Sequence, residues 1–145
     1  MKNILLAASA LLLAGSAFAQ KLTPAQVPAA VVATFQKAFP KATAVKWEKE
    51  ASNYEAGFQQ DGATMSALLG AGGELKEIET SLAPSALPAP VRATLALRYK
   101  SIKVNEAARI VATKTGAITY EAEVRQNGKN RDVLFTADGK EVVKP

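Results

Sequence analysis

The stretch Val27-Pro28-Ala29-Ala30-Val31 decides the fold, because it returns sixty positions later as Leu87-Pro88-Ala89-Pro90-Val91. A second stretch, Tyr54-Glu55-Ala56, returns sixty-six positions later as Tyr120-Glu121-Ala122. Two blocks that recur in the same order are typical of a duplicated unit. The change of offset predicts an insertion of six residues in the second copy, between its opening helix and its Tyr-Glu-Ala strand.

Each copy is predicted to open with a helix. Apolar residues recur at i, i+4 and i+8, which gives the helix one buried stripe. Pro28 and Pro88 suit the first helical turn, where a missing N–H does no harm. The stripes consist of Val31, Phe35 and Phe39 in the first copy and Val91, Leu95 and Tyr99 in the second.

Alternating apolar and polar residues predict four strands after each helix. Val45 and Trp47 point inward in this pattern, while Lys46 and Glu48 point outward. Asp61-Gly62 and Asn127-Gly128 are typical two-residue hairpin turns. The predicted strands cover residues 45–49, 54–60, 64–69 and 75–80, and then 102–112, 117–126, 131–136 and 141–144.

The predicted fold class is α+β: two tandem α-β-β-β-β repeats, with an antiparallel sheet whose helices pack on one face. The repeats are predicted over residues 20–80 and 81–145, with residues 81–85 as the linker. We expect the two repeats to pack as a pair. The sequence leaves open whether they form one sheet or two, and which oligomeric state they adopt.

Residues 1–19 are predicted to be a cleaved secretory signal peptide. Lys2 is followed by the apolar run Ile4–Leu13, and Ala17-Phe18-Ala19 is typical of a cleavage site. The run is short for a membrane span, which needs about 20 residues. We therefore expect a periplasmic or secreted protein without stable membrane insertion.

The chain contains no His and no Cys. This composition excludes a Ser-His-Asp triad, a Cys nucleophile, c-type haem attachment, an ordinary zinc site and any disulfide within the chain. The sequence also lacks a phosphate-binding glycine loop and a dinucleotide fingerprint. No cofactor and no metal are therefore predicted.

Charge is unevenly divided between the repeats. Residues 20–80 hold 6 basic and 7 acidic residues, whereas residues 81–145 hold 11 and 6. A basic second repeat suits an acidic partner, a lipid head group or a polyanion, but it also suits an ordinary mixed surface. Nucleic acid is not expected as a partner, because the chain is predicted to be exported and lacks interleaved aromatic and basic residues.

The helix-free face of the predicted sheet is the candidate binding surface. We predict a non-enzymatic exported module that contacts another envelope or secreted protein. Glu121 and Glu123 have a spacing that would suit paired catalytic carboxylates, but alternating charges are more typical of a solvated sheet face. The candidate residues are Lys46, Glu48, Glu55, Gln59, Glu121, Glu123, Arg125 and Arg131.

A second hypothesis is a small-ligand carrier with a pocket between helices and sheet. Its predicted lining consists of Phe35, Trp47, Phe58, Leu95 and Tyr120. The competing interpretation is that these apolar residues pack as core, which the inward parity of Trp47 favours.

The repeated residues carry a family resemblance. Val27-Pro28-Ala29-Ala30-Val31, Phe39-Pro40, Val45-Lys46-Trp47-Glu48 and Tyr54-Glu55-Ala56-Gly57-Phe58 resemble the exported PepSY-like, beta-lactamase-inhibitor-like tandem-repeat proteins of bacteria. The resemblance implies helix-plus-four-strand units and an inhibitor-like or protein-binding role. The beta-lactamase inhibitory protein carries disulfides, which this chain cannot form, and no inhibitory hairpin matches residue by residue. Lactamase inhibition is therefore not carried over.

Overall fold

The computed structural model describes residues 20–100 and 102–143, so the predicted signal peptide lies outside the described residues. The chain divides into two compact units, with unit 1 ending at Glu79 and unit 2 beginning at Thr80. Each unit combines one helix with antiparallel strands, and the predicted α+β class and tandem α-β-β-β-β organisation are confirmed.

Each helix is followed by four strands, as the repeat predicts. In unit 1 the strand order is β1-β2-β3-β4-β5, and in unit 2 it is β6-β7-β8-β9. The helices are α1 (Ala29–Ala38) and α2 (Ala89–Arg98); the strands are β1 (Gln20–Leu22), β2 (Thr43–Glu50), β3 (Asn53–Gln60), β4 (Ala63–Gly70), β5 (Leu75–Leu82), β6 (Val104–Ala112), β7 (Ile118–Gln126), β8 (Lys129–Phe135) and β9 (Glu141–Val142).

Two short segments differ from the sequence prediction. Strand β1 was not predicted, and it pairs antiparallel with β2 through Leu22 and Trp47. The predicted linker at residues 81–85 is strand as far as Leu82 and a 3-10 turn from Pro84. Both segments are only three to five residues long, too short for periodicity to reveal them.

The hairpin turns fix the register of the sheets. Gln60 pairs with Ala63 across Asp61-Gly62, and Gln126 pairs with Lys129 across Asn127-Gly128. Because a two-residue turn sets every later pair, each hairpin determines which side chains share a face.

The six-residue insertion lies in the hairpin between β6 and β7. Lys49 pairs with Tyr54 in unit 1, and the corresponding Arg109 pairs with Tyr120 in unit 2. The unit 2 hairpin continues beyond this pair as far as Val111 and Ile118. Ile118 lies on this extension and is 38 % exposed.

A β-bulge corrects the prediction for Val45. Thr43 pairs with Gln59 and Lys46 with Gly57, so two residues of β2 lie opposite one residue of β3. Ala44 adopts a positive φ of 53° in this bulge. The extra residue breaks the alternation, and Val45 is 38 % exposed rather than buried.

Helix α1 covers an aromatic core. The Phe35 ring lies 5.2 Å from Trp47 and 5.1 Å from Phe58, centroid to centroid, in edge-to-face geometry. Trp47 is 5 % exposed, which confirms it as a core residue. Unit 2 has smaller side chains at the corresponding positions, namely Leu95, Ala107 and Val124.

Candidate functional site

The helix-free face is the side of each sheet opposite its helix. In unit 1 the register brings Glu48 and Glu55 directly opposite each other, with Lys46 and Gln59 on the same side. Lys46 and Gln59 are exposed and Glu48 is half-buried. These three predicted residues are therefore accessible together on one surface.

Glu55 was predicted to lie on a solvated surface, but it is buried. Its side chain is 8 % exposed, because Leu68 flanks it on β4 and Glu48 on β2. Burial, a side-chain hydrogen bond with Glu50 and the nearby charges of Glu50, Glu79 and Glu48 raise the pKa of Glu55 to about 9. Glu55 is thus a neutral acid at pH 7, and so little of it is exposed that neither a partner nor a substrate has access to it.

Glu121, the counterpart of Glu55 in unit 2, is also buried rather than solvated. It is 6 % exposed and lies directly opposite Ala108 on β6 and Leu134 on β8. Both flanking residues are buried as well. Alternation identified the correct face for Glu121 but not the depth, because the centre of this face is apolar.

An acidic row crosses the helix-free face of unit 2 beyond that apolar centre. Glu106 on β6 pairs with Glu123 on β7, which pairs with Asp132 on β8. Directly opposed side chains have Cβ atoms about 5 Å apart, and like charges there destabilise a sheet. Arg125 lies on the same face and is exposed, as was predicted.

Two carboxyl groups of the acidic row have raised pKa values, because they are partly buried and lie close to other carboxylates. Burial, followed by the charges of Glu123 and Glu106, raises the pKa of Asp132 to about 6. Burial and Glu123 also raise the pKa of Glu106. Asn105 donates a hydrogen bond of 3.4 Å to Glu123. The charge of Glu123 therefore makes ionisation of both Glu106 and Asp132 less favourable.

Glu106 and Asp132 were not among the residues predicted for the site, although the sequence contains a signal for Asp132. The predicted turn Asn127-Gly128 pairs Gln126 with Lys129, and counting back along both strands places Asp132 opposite Glu123. The position of Glu106 depends on a register irregularity in β6, and no turn residue in the sequence indicates that irregularity.

Arg131 lies on the wrong face for the predicted site. It pairs with Val124 and shares the helix-covered side with Val133. Its guanidinium donates a hydrogen bond of 2.8 Å to the Tyr99 hydroxyl and lies 3.8 Å from Glu141. The physical reason is the two-residue turn, which puts residue 131 on the parity of Val124 rather than of Arg125.

The predicted ligand pocket is not formed in unit 1. Phe35, Trp47 and Phe58 pack ring against ring and fill the space beneath α1. A pocket of about 400 Å³ lies in unit 2, where Leu95 contributes to its lining and Tyr120 does not. The carrier hypothesis is therefore not favoured.

No metal-binding cluster of three or more acidic, His or Cys side chains occurs within residues 20–100 and 102–143. Over the same residues, neither helix has the length and apolar character needed to cross a bilayer.

A family model matches almost the whole described chain. The model is that of the PepSY-like proteins, described as "putative beta-lactamase-inhibitor-like", and it matches twice, over residues 17–69 and 70–142. The chain belongs to the PepSY-like family. The double match agrees with the internal repeat, and the family resemblance predicted from the sequence is confirmed.

Solved structures from three Bacteroides species share the PepSY-like fold. A BLIP-like protein from Bacteroides fragilis is 25 % identical with a TM-score of 0.67, over 81 % of this chain and 84 % of that one. A protein from Bacteroides eggerthii described as a putative periplasmic protein is 18 % identical, with a TM-score of 0.73 over 81 % and 86 %. A DUF2874 protein from Bacteroides ovatus is 22 % identical, with a TM-score of 0.71 over 81 % and 85 %. No functionally curated protein matches the chain.

Proposed function

We propose that this PepSY-like protein is a non-catalytic, exported binding module that contacts a basic surface of another envelope or secreted protein. The inhibitor-like description of its family and the BLIP-like relative support a binding role. The predicted signal peptide and the periplasmic description of a structural neighbour support its place outside the cytoplasm.

The acidic row is the observation that carries the proposal. In unit 1 the corresponding positions are Lys46, Gly57 and Ser66, which pair across β2, β3 and β4 without like-charge repulsion. Unit 2 instead opposes Glu106, Glu123 and Asp132, at a cost to its own stability. Sequence rules are most often broken where function requires it, and lysine or arginine side chains from a partner would relieve this repulsion.

The remaining contact residues follow from exposure. Arg125 lies beside the acidic row in unit 2, and Lys46, Glu48 and Gln59 are the accessible polar residues of the helix-free face in unit 1. Glu55 and Glu121 support these surfaces from within. Arg131 takes no part in the contact, because it lies on the helix-covered side.

An affinity experiment tests the proposal. The exported form, beginning at Gln20, is immobilised and exposed to an envelope extract of the producing cell, and each captured protein is then titrated against purified variants. The variant Glu123→Gln/Asp132→Asn keeps side-chain shape and removes repulsion, so it should fold at least as well as the unaltered chain. We expect this variant to bind the partner more than tenfold less tightly, because a close charge pair across an interface contributes about 1.5 kcal/mol or more.

The matched control is Asp61→Asn/Glu74→Gln, which removes two exposed acidic residues outside the acidic row. It should bind as the unaltered chain does. If the acidic-row variant melts as expected and still binds with unchanged affinity, this face is not the contact surface and the proposed function fails.

A further inference from the structure

The outer face of helix α2 is apolar, although it points away from the sheet. It consists of Ala89, Pro90, Ala93, Ala96 and Leu97, all of them exposed. Leu97 is 71 % exposed, on the side of the helix opposite the buried Val91 and Leu95. A helix on the surface of a globular protein ordinarily carries polar residues on the face opposite its buried stripe.

Helix α1 provides the comparison within the same chain. Its residues at the positions of Ala96 and Leu97 are Gln36 and Lys37, so α1 is polar at the two places where α2 exposes an alanine and a leucine. The two helices share their origin, length and buried stripe. At these two exposed positions only α2 is apolar.

Cations border the apolar face of α2. Arg92, Arg98 and Lys100 are exposed, whereas the corresponding residues at α1 are Val32, Ala38 and Pro40. Arg92 and Arg98 are six residues apart, or roughly 240° of helical rotation, so they leave the helix on opposite flanks of Leu97. Lys100 follows the end of the helix.

Nearby acidic residues neutralise only part of this charge. Arg98 lies 3.1 Å from Glu141, and Arg131 lies 3.8 Å from the same carboxylate. Arg92 donates a hydrogen bond of 3.1 Å to the Leu87 carbonyl oxygen, which leaves its charge in place. The surroundings of α2 therefore carry a net positive charge.

We propose that the outer face of α2 docks unit 2 onto an anionic phospholipid surface. Leu97 would enter the boundary between head groups and acyl chains, while Arg92, Arg98 and Lys100 contact the phosphates. The apolar residues of this face include no aromatic anchor of the kind that protein–protein contacts commonly use. Alanines around one leucine, with cations on both flanks, suit a diffuse layer of phosphate. One leucine gives weak and reversible attachment, which is independent of the contact proposed for the helix-free face.

Vesicle flotation tests the proposal with the exported form beginning at Gln20, so that the apolar run Ile4–Leu13 does not contribute. The chain should float with vesicles of phosphatidylcholine and phosphatidylglycerol, but not with vesicles of phosphatidylcholine alone. High salt should release it, because exposed charges are screened. Removing one cation near the surface lowers partitioning about fivefold, so Arg92→Gln/Lys100→Gln should lower it about 25-fold.

The decisive variant introduces into α2 the residues that α1 has at the corresponding positions, Gln36 and Lys37. Ala96→Gln/Leu97→Lys transfers the outer face of α1 to α2 and adds a positive charge. Loss of flotation in this variant, despite its greater charge, would show that the leucine itself enters the membrane. The control Lys21→Gln/Lys41→Gln removes two exposed cations of unit 1 and should reduce flotation less than twofold.

Three results would overturn the proposal. The first is equal flotation with neutral and anionic vesicles, or none with either. The second is unchanged flotation of Ala96→Gln/Leu97→Lys with circular dichroism showing the native fold. The third is binding to poly-glutamate, lost in that variant, without flotation of the unaltered chain, which would assign the face to an acidic protein instead.

Discussion

Thr94 donates a hydrogen bond of 2.8 Å from its Oγ1 to the carbonyl oxygen of Gly139, which fastens α2 to the turn between β8 and β9. Gly139 has a φ of +84°, and a Cβ atom there would lie 2.5 Å from the Pro90 carbonyl oxygen. Gly73 repeats the arrangement in unit 1, with a φ of +90° and a Cβ position 2.7 Å from the Ala30 carbonyl oxygen. Both units therefore need glycine where this turn touches the helix.

Replacing Gly139 by alanine should lower the free energy of unfolding by about 2 to 5 kcal/mol. A left-handed backbone costs alanine about 1–2 kcal/mol, and overpacking against the helix adds about 1–3 kcal/mol. Gly128→Ala is the matched control, because Gly128 has a φ of +75° with nothing within 4 Å of its Cβ position. It should cost only about 1–2 kcal/mol in urea or thermal unfolding. Equal losses in the two variants would mean that contact with the helix contributes nothing.

The duplication explains why so much of the fold follows from the sequence. Thr34 and Thr94, like Gly73 and Gly139, occur at matching places in the two copies, and each threonine lies close to the glycine of its own unit. Apolar spacing located both helices, and the turns after Gln60 and Gln126 located the hairpins. The helix spacing and the hairpin turns, which recur in both copies, were therefore predicted correctly.

The errors concern features that alternation cannot encode. The alternation of residues along a strand predicts the face on which a side chain lies but not how deeply it is buried. Glu55 and Glu121 were therefore assigned to the correct face, but they were wrongly predicted to be exposed to solvent. A bulge inserts one residue without any signal in the pattern, which displaced Val45. Arg131 is different, because counting from the Asn127-Gly128 turn would have placed it correctly.

Tyr99, Arg131 and Glu141 form a polar cluster where unit 1 has an apolar one. The Tyr99 hydroxyl donates a hydrogen bond of 3.1 Å to Glu141 and accepts one of 2.8 Å from Arg131. The corresponding residues in unit 1 are Phe39, Met65 and Leu75, which pack together around the aromatic core. The three positions have changed character together, as expected of mutually dependent contacts.

Replacing one member of this cluster should therefore cost more than replacing all three. Glu141→Leu leaves the Tyr99 hydroxyl and two guanidinium groups without their shared acceptor, and should lower the free energy of unfolding by about 1–2 kcal/mol. The triple variant Tyr99→Phe/Arg131→Met/Glu141→Leu transfers the unit 1 residues and should recover most of that loss. Chemical denaturation of the single, double and triple variants measures the coupling. Losses that simply add would contradict a cooperative cluster.

Glu55 should make the protein less stable as the pH rises from about 4.5 to about 9. Its pKa is raised from 4.5 to about 9 in the folded state, so the folded chain holds a proton that the unfolded chain releases in this interval. Glu55→Gln keeps the shape and the hydrogen-bond donor toward Glu50 without the titration. The melting temperature should therefore fall less steeply between pH 5 and pH 9 for this variant than for the unaltered chain. Parallel curves for the variant and the unaltered chain would show that Glu55 titrates alike in both states.

Asp132 should also make the protein less stable as the pH rises, but over a lower pH interval. Its pKa rises from 3.8 to about 6 on folding, so stability falls between about pH 4 and pH 6 and the loss is complete above that. Asp132→Asn should melt like the unaltered chain near pH 4 and at a higher temperature at pH 7. Asp61→Asn removes an exposed aspartate outside the acidic row and is the control for the loss of one negative charge.

Partner binding should have the opposite pH dependence to stability. A basic partner favours the ionised acidic row, so its affinity should increase as Asp132 loses its proton between pH 5 and pH 7, whereas the same group lowers the stability of the free protein between about pH 4 and pH 6. Titration calorimetry at both pH values, in two buffers of different ionisation enthalpy, should detect proton release on binding at pH 6. Asp132→Asn should abolish that release. An affinity that decreases from pH 5 to pH 7 would place the contact away from the acidic row.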